Sequence, residues 1–176
     1  MTVLVRPERP ADERAVQAII AAAFPEVDGA VVEVALNDEL RRDPAWISGL
    51  CLVAVRDGRV VGQVTCSYGV LVDPAGGPDR RLVGVGPVAV LPAEQGAGVG
   101  RALMSALVER ARRAGEAALV LLGDPAFYGR FGFRPAADAG IAAPDPAWGE
   151  HFQALVLDPA VGLAGRFTYA APFDRF

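Results

Sequence analysis

The stretch Leu82–Arg101, LVGVGPVAVLPAEQGAGVGR, decides the reading of this chain. Leu82 to Leu91 is a continuous apolar run, suited to a central strand covered on both faces. Pro92 marks the exit from it, and Gly96, Gly98 and Gly100 make a glycine loop. The loop runs into a segment whose Leu103, Leu107, Val108 and Ala111 recur at helical spacing, so a helix is predicted over Val99 to Ala114, stopped by Gly115. A strand, a glycine loop and a helix start together offer free backbone N–H groups and a positive helix end to a phosphate.

The spacing of that loop excludes one familiar phosphate site and weakens another. A Walker loop needs Gly-Lys-Ser/Thr, whereas Gly100 is followed by Arg101 and Ala102. A dinucleotide fingerprint begun at Gly96 would place its third glycine at Arg101, although Glu116 or Asp124 could serve as its acid. Gln95, Gly98 and Gly100 fit Q/R-x-x-G-x-G/A instead, with glycines removing side chains that would keep a pyrophosphate from the amides.

The rest of the chain sets the frame. With 176 residues, 52% of them apolar, it can bury one substantial core, and residues 1–176 are read as one domain. Its longest apolar runs fall short of the roughly 20 residues of a membrane span, and MTVLVRPERPADER lacks the order of a signal peptide, so a cytoplasmic protein is expected. A net charge of −4 argues against a surface that tracks nucleic-acid phosphates. The Lys+Arg total of 17 is entirely arginine, which removes any Schiff-base or Walker lysine. Cys51 and Cys66 are too few and too far apart for a disulfide framework or a zinc knot, and are read as small buried hydrophobes.

Before the central stretch, Thr2 to Arg6 alternates like a strand and Asp12 is placed to cap a helix reaching Phe24, with Val16, Ile19, Ile20 and Ala23 inward. Ala30 to Arg42 suits a second helix with Val31, Val34, Ala35 and Leu40 inward. Leu50–Val55 and Arg59–Ser67 flank Asp57-Gly58, a hairpin signal, and the second strand can continue to Val72 before the loop DPAGGPDRR. After the central stretch, Ala117 to Leu122 is a strand, reached from the central one by a right-handed parallel crossover. Gly123 to Phe133 has room for a short helix, Ala136 to Glu150 is irregular, and Phe152–Leu157 and Arg166–Ala170 are closing strands placed as a pair.

Two signatures in order, VAVLPAEQGAGVGRALM and Phe127 to Phe133, FYGRFGF, resemble the acetyl-CoA loop and the Y-x-x-x-G-F motif of the GCN5-related N-acetyltransferases, the GNAT superfamily. GDPAFYGRFGF is similar to a bacterial subgroup of that superfamily whose acceptors are mostly undefined. The resemblance implies an α/β fold, a mixed central β-sheet of about six or seven strands flanked by helices. It implies acetyl-CoA as cosubstrate and transfer of acetyl to a primary amine of a small molecule or peptide, by direct attack in a ternary complex.

Residue by residue, backbone groups of Val88, Ala89 and Val90 would pair with the pantetheine arm. Amides of Gln95, Gly96, Ala97, Gly98, Val99, Gly100 and Arg101 would hold the pyrophosphate. Tyr128 stands where the family carries the phenol that protonates the departing thiolate, work a phenol can do because it stays protonated near neutral pH. The bland reading of Tyr128 is an aromatic cluster with Phe127, Phe131 and Phe133.

The chain departs from the family in two places. Gly84 stands near where some relatives carry a Glu on the central strand, so Glu33, Asp124 and His151 are the titratable candidates for the base. The Asn that relatives often carry ahead of their Tyr is Leu121 here. The missing Glu motivates an alternative, a catalytically weak module that binds acetyl-CoA for regulation. The acceptor pocket is expected from the second helix, the Tyr68 to Arg81 loop and Ala136 to Glu150, where Trp148 suggests an apolar wall. No nucleic acid, membrane or metal is expected, and a homodimer is compatible with this reading.

Overall fold

In the computed structural model, which describes residues 3–176, the N-terminal alternation forms strand β1 (Leu4–Pro7), followed by helices α1 (Glu13–Ala23) and α2 (Val32–Arg42). Thr2, expected in that strand, lies outside the described residues. Strands β2 (Leu52–Arg56) and β3 (Arg59–Val72) make the expected antiparallel hairpin, turned by Asp57 and Gly58 at φ of +48° and +76°. The central strand β4 (Arg80–Val90) leads to α3 (Val99–Ala114) and β5 (Ala118–Leu122), then to the short helix α4 (Pro125–Tyr128). Four strands close the chain: β6 (Arg134–Pro135), β7 (Ile141–Ala142), β8 (Phe152–Val156) and β9 (Gly165–Thr168).

These strands make one mixed nine-stranded sheet, more than the expected count because β6 and β7 are two-residue pieces no sequence pattern marks. Its main order is β1-β2-β3-β4-β5-β8-β6, and β4 and β5 are parallel as the strand, helix, strand order requires. The expected pairing of the last two strands is not made. β8 lies antiparallel to β5, while β9 takes the edge of β3 that the shorter β2 leaves open, pairing Val70–Val72 with Arg166–Thr168. Periodicity identifies both strands, but partner choice depends on which long edge is vacant.

Alternate residues of the strands feed opposite faces. Leu52 and Ala54 of β2 pack with Leu103, Met104, Leu107 and Ala111 of α3, whereas Val53 between them packs with Val16, Ile19 and Ile20 of α1. The two helices therefore cover opposite sides of the sheet. In α2 the inward face is shifted from expectation: Leu36, Asn37 and Leu40 are buried, Val31 and Val34 are half-buried, and Ala35 is exposed. The expected side-chain cap of α1 is also absent. The Asp12 carboxylate instead accepts from the Arg9 N–H at 2.8 Å and from both Arg6 guanidinium nitrogens at 2.6 and 2.9 Å, and the Arg6 bonds hold its carboxyl below its ordinary value.

Cys51 and Cys66 are fully buried and unbridged. The Cys51 thiol donates to the Cys66 carbonyl at 3.3 Å, and burial pushes it up to about 12, which removes it from thiolate chemistry. No described helix is long and apolar enough to cross a membrane.

Candidate functional site

The site begins where β4 and β5 part. Their parallel pairing covers only Val83–Leu119 and Gly84–Val120, and beyond it β4 runs on to Val90 with no partner on that edge among the described residues. On the opposite edge the register with β3 slips, so that Gly86 and Pro87 both stand across from Thr65. The result is a strand end with open backbone groups, flanked by the glycine loop on one side and α4 on the other.

A groove of about 430 Å³ follows that strand end, lined by Val88, Val90, Gln95, Gly96, Gly98 and the first turn of α3. Gly98 caps α3 at φ +85°, in the left-handed region, and the first helical hydrogen bond runs from Ala102 N–H to Gly98 O at 3.0 Å. The amides of Val99, Gly100 and Arg101 precede that bond and face no helical acceptor. Gln95 Nε2 donates to Val90 O at 3.1 Å, tying the loop to the strand it leaves. Arg56, at the end of β2, donates to Glu94 and to the Ala97 carbonyl at 3.2 Å. Of the sequence-predicted positions, only Ala89 and Ala97 do not line this groove: Ala89 is buried toward α1, and the Ala97 carbonyl is turned to Arg56.

Arg101 and Arg130 are the groove's charged side chains, and no carboxylate lines it. With the N-terminus of α3 they make an anion-favouring wall. Arg130 lies over the Phe127 ring at 5.2 Å. Phe127 in turn packs on the first turn of α3, 3.3 Å from where a Cβ on Gly100 would stand. Arg56, Phe127 and Arg130 were not legible as site residues, because each reaches the groove through tertiary packing and carries no spacing signal.

Across Val88, Phe127 and Tyr128, which line both, this groove adjoins a second cavity of about 820 Å³. Its walls come from α2, the middle of β4, the turn between β5 and α4, Trp148 and the C-terminal run from Thr168. Glu33 and Asp124 line it, whereas His151 does not: it is exposed, and its carbonyl accepts from the Gly123 N–H at 2.9 Å. Asp124 also caps α4, accepting from Ala126 N–H at 2.9 Å. The Tyr68–Arg81 segment expected to contribute is absent from this cavity, and the C-terminal Tyr169–Phe176 takes its place.

Tyr128 sits at the junction. Its ring meets Phe127 edge-on at 4.9 Å and Phe133 at 6.0 Å, so the expected aromatic cluster forms, yet the residue also faces both cavities. The ring lies over Gly123, where an added Cβ would stand 2.3 Å from Cε2. Burial, and secondarily the charge of Asp124, push its phenol up to about 12. The group is thus held protonated at neutral pH.

The missing carboxylate on β4 has a packing cause. An added Cβ on Gly84 would stand 3.0 Å from Cδ1 of Tyr169, whose ring occupies the space a longer side chain needs. Gly84→Ala is therefore expected to lower stability by about 1–3 kcal/mol through overpacking. Denaturant unfolding checks it: an unchanged midpoint would mean that the Tyr169 ring yields freely. Leu121 is buried in the core beneath α3, away from either cavity.

Comparison with known proteins gives the geometry its context. The model of the acetyltransferase (GNAT) domain matches residues 5–136. The N-acetyltransferase YhbS of Escherichia coli K12, itself uncharacterized, is 36% identical over 99% of this chain and all of its own length. YjhQ of the same organism, likewise an uncharacterized N-acetyltransferase, is 32% identical over 80% of this chain and 79% of its own. Among solved structures, YhbS from Escherichia coli in complex with CoA superposes with a TM-score of 0.86 at 32% identity, covering 99% of this chain and 93% of that one. A GNAT acetyltransferase from Brucella melitensis in complex with acetyl-CoA gives 0.77 at 34% identity, covering 98% and 99%.

Proposed function

The chain belongs to the GNAT N-acetyltransferase family, and from that membership we propose that residues 1–176 act as one domain moving acetyl from acetyl-CoA to a primary amine by direct attack in a ternary complex. The observation that carries the reading is the shared wall of Val88, Phe127 and Tyr128, where an anion-favouring groove adjoins a larger cavity. A thioester held at that wall can be reached by an amine from the other side.

In this reading the backbone of Val88 to Val90 accepts the pantetheine arm as an added strand along the edge that β5 leaves open. The amides from Gln95 to Arg101 and the guanidinium groups of Arg101 and Arg130 hold the phosphates. The ammonium gives its proton to a carboxylate of the second cavity, Glu33 or Asp124, directly or through water. The neutral amine then forms its N–C bond to the acetyl carbonyl, the C–S bond breaks, Tyr128 donates its proton to the departing sulfur, and the proton released from the acylated nitrogen restores the Tyr128 phenol. The competing reading, a module that binds acetyl-CoA without turnover, rests on the lack of a carboxylate on β4; carboxylates in the cavity answer that lack from other elements.

The test is release of CoA thiol that depends on added amine. With the phenol pushed up to about 12, turnover is expected to rise as the amine loses its proton and to show no alkaline fall below about pH 11. Acetyl-CoA binding without thiol release across a broad amine panel would leave only the regulatory reading. A fall in rate near pH 9 would detach Tyr128 from the acid step.

A further inference from the structure

The two cavities that adjoin at Tyr128 carry opposite charge. The groove has Arg101 and Arg130 and no carboxylate, whereas the second cavity has Glu33, Asp124 and Asp174 and no arginine. Among the described residues neither Glu33 nor Asp174 takes part in an ion pair. The cation beside Asp174 is diverted: Arg175 donates to Glu39 of α2 at 2.7 Å, which also fastens the C-terminal turn (Ala171–Arg175) to that helix.

The carboxylates do not by themselves define the site. It is set by a cavity that shares its wall with the groove, and the charges decide what enters. The remaining wall is aromatic. Tyr169 stacks on Phe173 at 4.5 Å and lies 6.4 Å from Trp148, and their rings line one side. Flat apolar surface binds a flat apolar body, and aromatic faces also favour a cation. A carboxylate on the incoming molecule would meet three like charges.

Resting on the transfer reading above, we infer that the acceptor is a small primary amine with a flat apolar body and no carboxylate, admitted as its ammonium and read by Trp148, Tyr169, Phe173 and Asp174. The C-terminal turn is then a specificity element, since it supplies both an aromatic face and an anion at the cavity wall.

Phenethylamine, phenylalanine and spermidine separate the requirement for an apolar body from that for no carboxylate, and the Asp174→Asn variant tests the positive charge. Phenethylamine is expected to show a kcat/KM at least about tenfold above either of the others. Asp174→Asn is expected to raise KM for phenethylamine about two- to fivefold, with the increase shrinking as salt is added. Trp148→Ala is expected to lower kcat/KM for phenethylamine about tenfold and for spermidine by less, since spermidine loses only the cation contact with the ring. Calorimetry of phenethylamine on the CoA-loaded protein supplies a readout independent of turnover. Preference for phenylalanine or spermidine, with thiol release intact, would overturn the acceptor class and leave transfer standing. Asp174-dependent binding of phenethylamine without acetylation would support the class and overturn transfer. Neither binding nor turnover with any of the three would overturn the class, and a silent broad panel would overturn transfer with it.

Discussion

Replacing Tyr128 with Phe is expected to lower kcat by about 10²-fold or more while leaving acetyl-CoA affinity nearly intact. The substitution removes one hydroxyl and keeps the ring, which is held edge-on by Phe127 and Phe133 and lies over Gly123. Among the described residues that hydroxyl donates to no protein group, so its loss leaves no buried partner unsatisfied and folding should be unaffected. What disappears is a proton at the wall shared by the two cavities. Thiol release and calorimetry on the same preparation check the prediction. A kcat within about twofold of the parent would return Tyr128 to a purely packing role.

Gly98→Val carries the second large effect, on binding. Gly98 holds φ at +85° at the start of α3, a region where a β-branched residue pays about 1–2 kcal/mol or more. The loop would leave that conformation, and the amides of Val99 to Arg101 would no longer converge. Losing two charge-assisted hydrogen bonds to phosphate corresponds to about 10²-fold or more in affinity. Because nothing lies within 4 Å of the added Cβ, the strain is local and the domain should stay folded, melting a few degrees lower at most. Calorimetry with acetyl-CoA, beside a thermal melt, separates the two. Unchanged affinity in a folded variant would sink the phosphate-cradle assignment.

What was legible beforehand was local. Val99–Ala114 matches the predicted helix to the residue, because its apolar spacing, Gly98 and Gly115 all act within a few residues of one another. The Asp57-Gly58 turn was readable for the same reason. Tyr128 and the glycine loop could be paired only through the family resemblance, since they meet across the sheet. Of the cavity's aromatic wall, Trp148 was readable and the Tyr169 and Phe173 part was not. It depends on β9 finding the vacant edge of β3 and on Tyr169 filling the space over Gly84, contacts between segments far apart in the chain. The α2 face was misphased because Val31, Val34 and Ala35 are as apolar by composition as the Leu36 that is buried. His151 was a candidate as the lone histidine of the chain, but its place outside the cavity follows from the turn that precedes β8.

On the proposed reading of the glycine loop, Arg56 gives the fold a remote control on its cosubstrate. It stands beside the Asp57-Gly58 turn, outside the lining of either cavity, yet it grips Glu94 and the Ala97 carbonyl and so sets where the glycine loop rests. A change in that hairpin would retune the loop without altering any group that meets acetyl-CoA. On the proposed reading, a substitution at Arg56 would thus shift acetyl-CoA affinity with the loop sequence and Tyr128 left as they are.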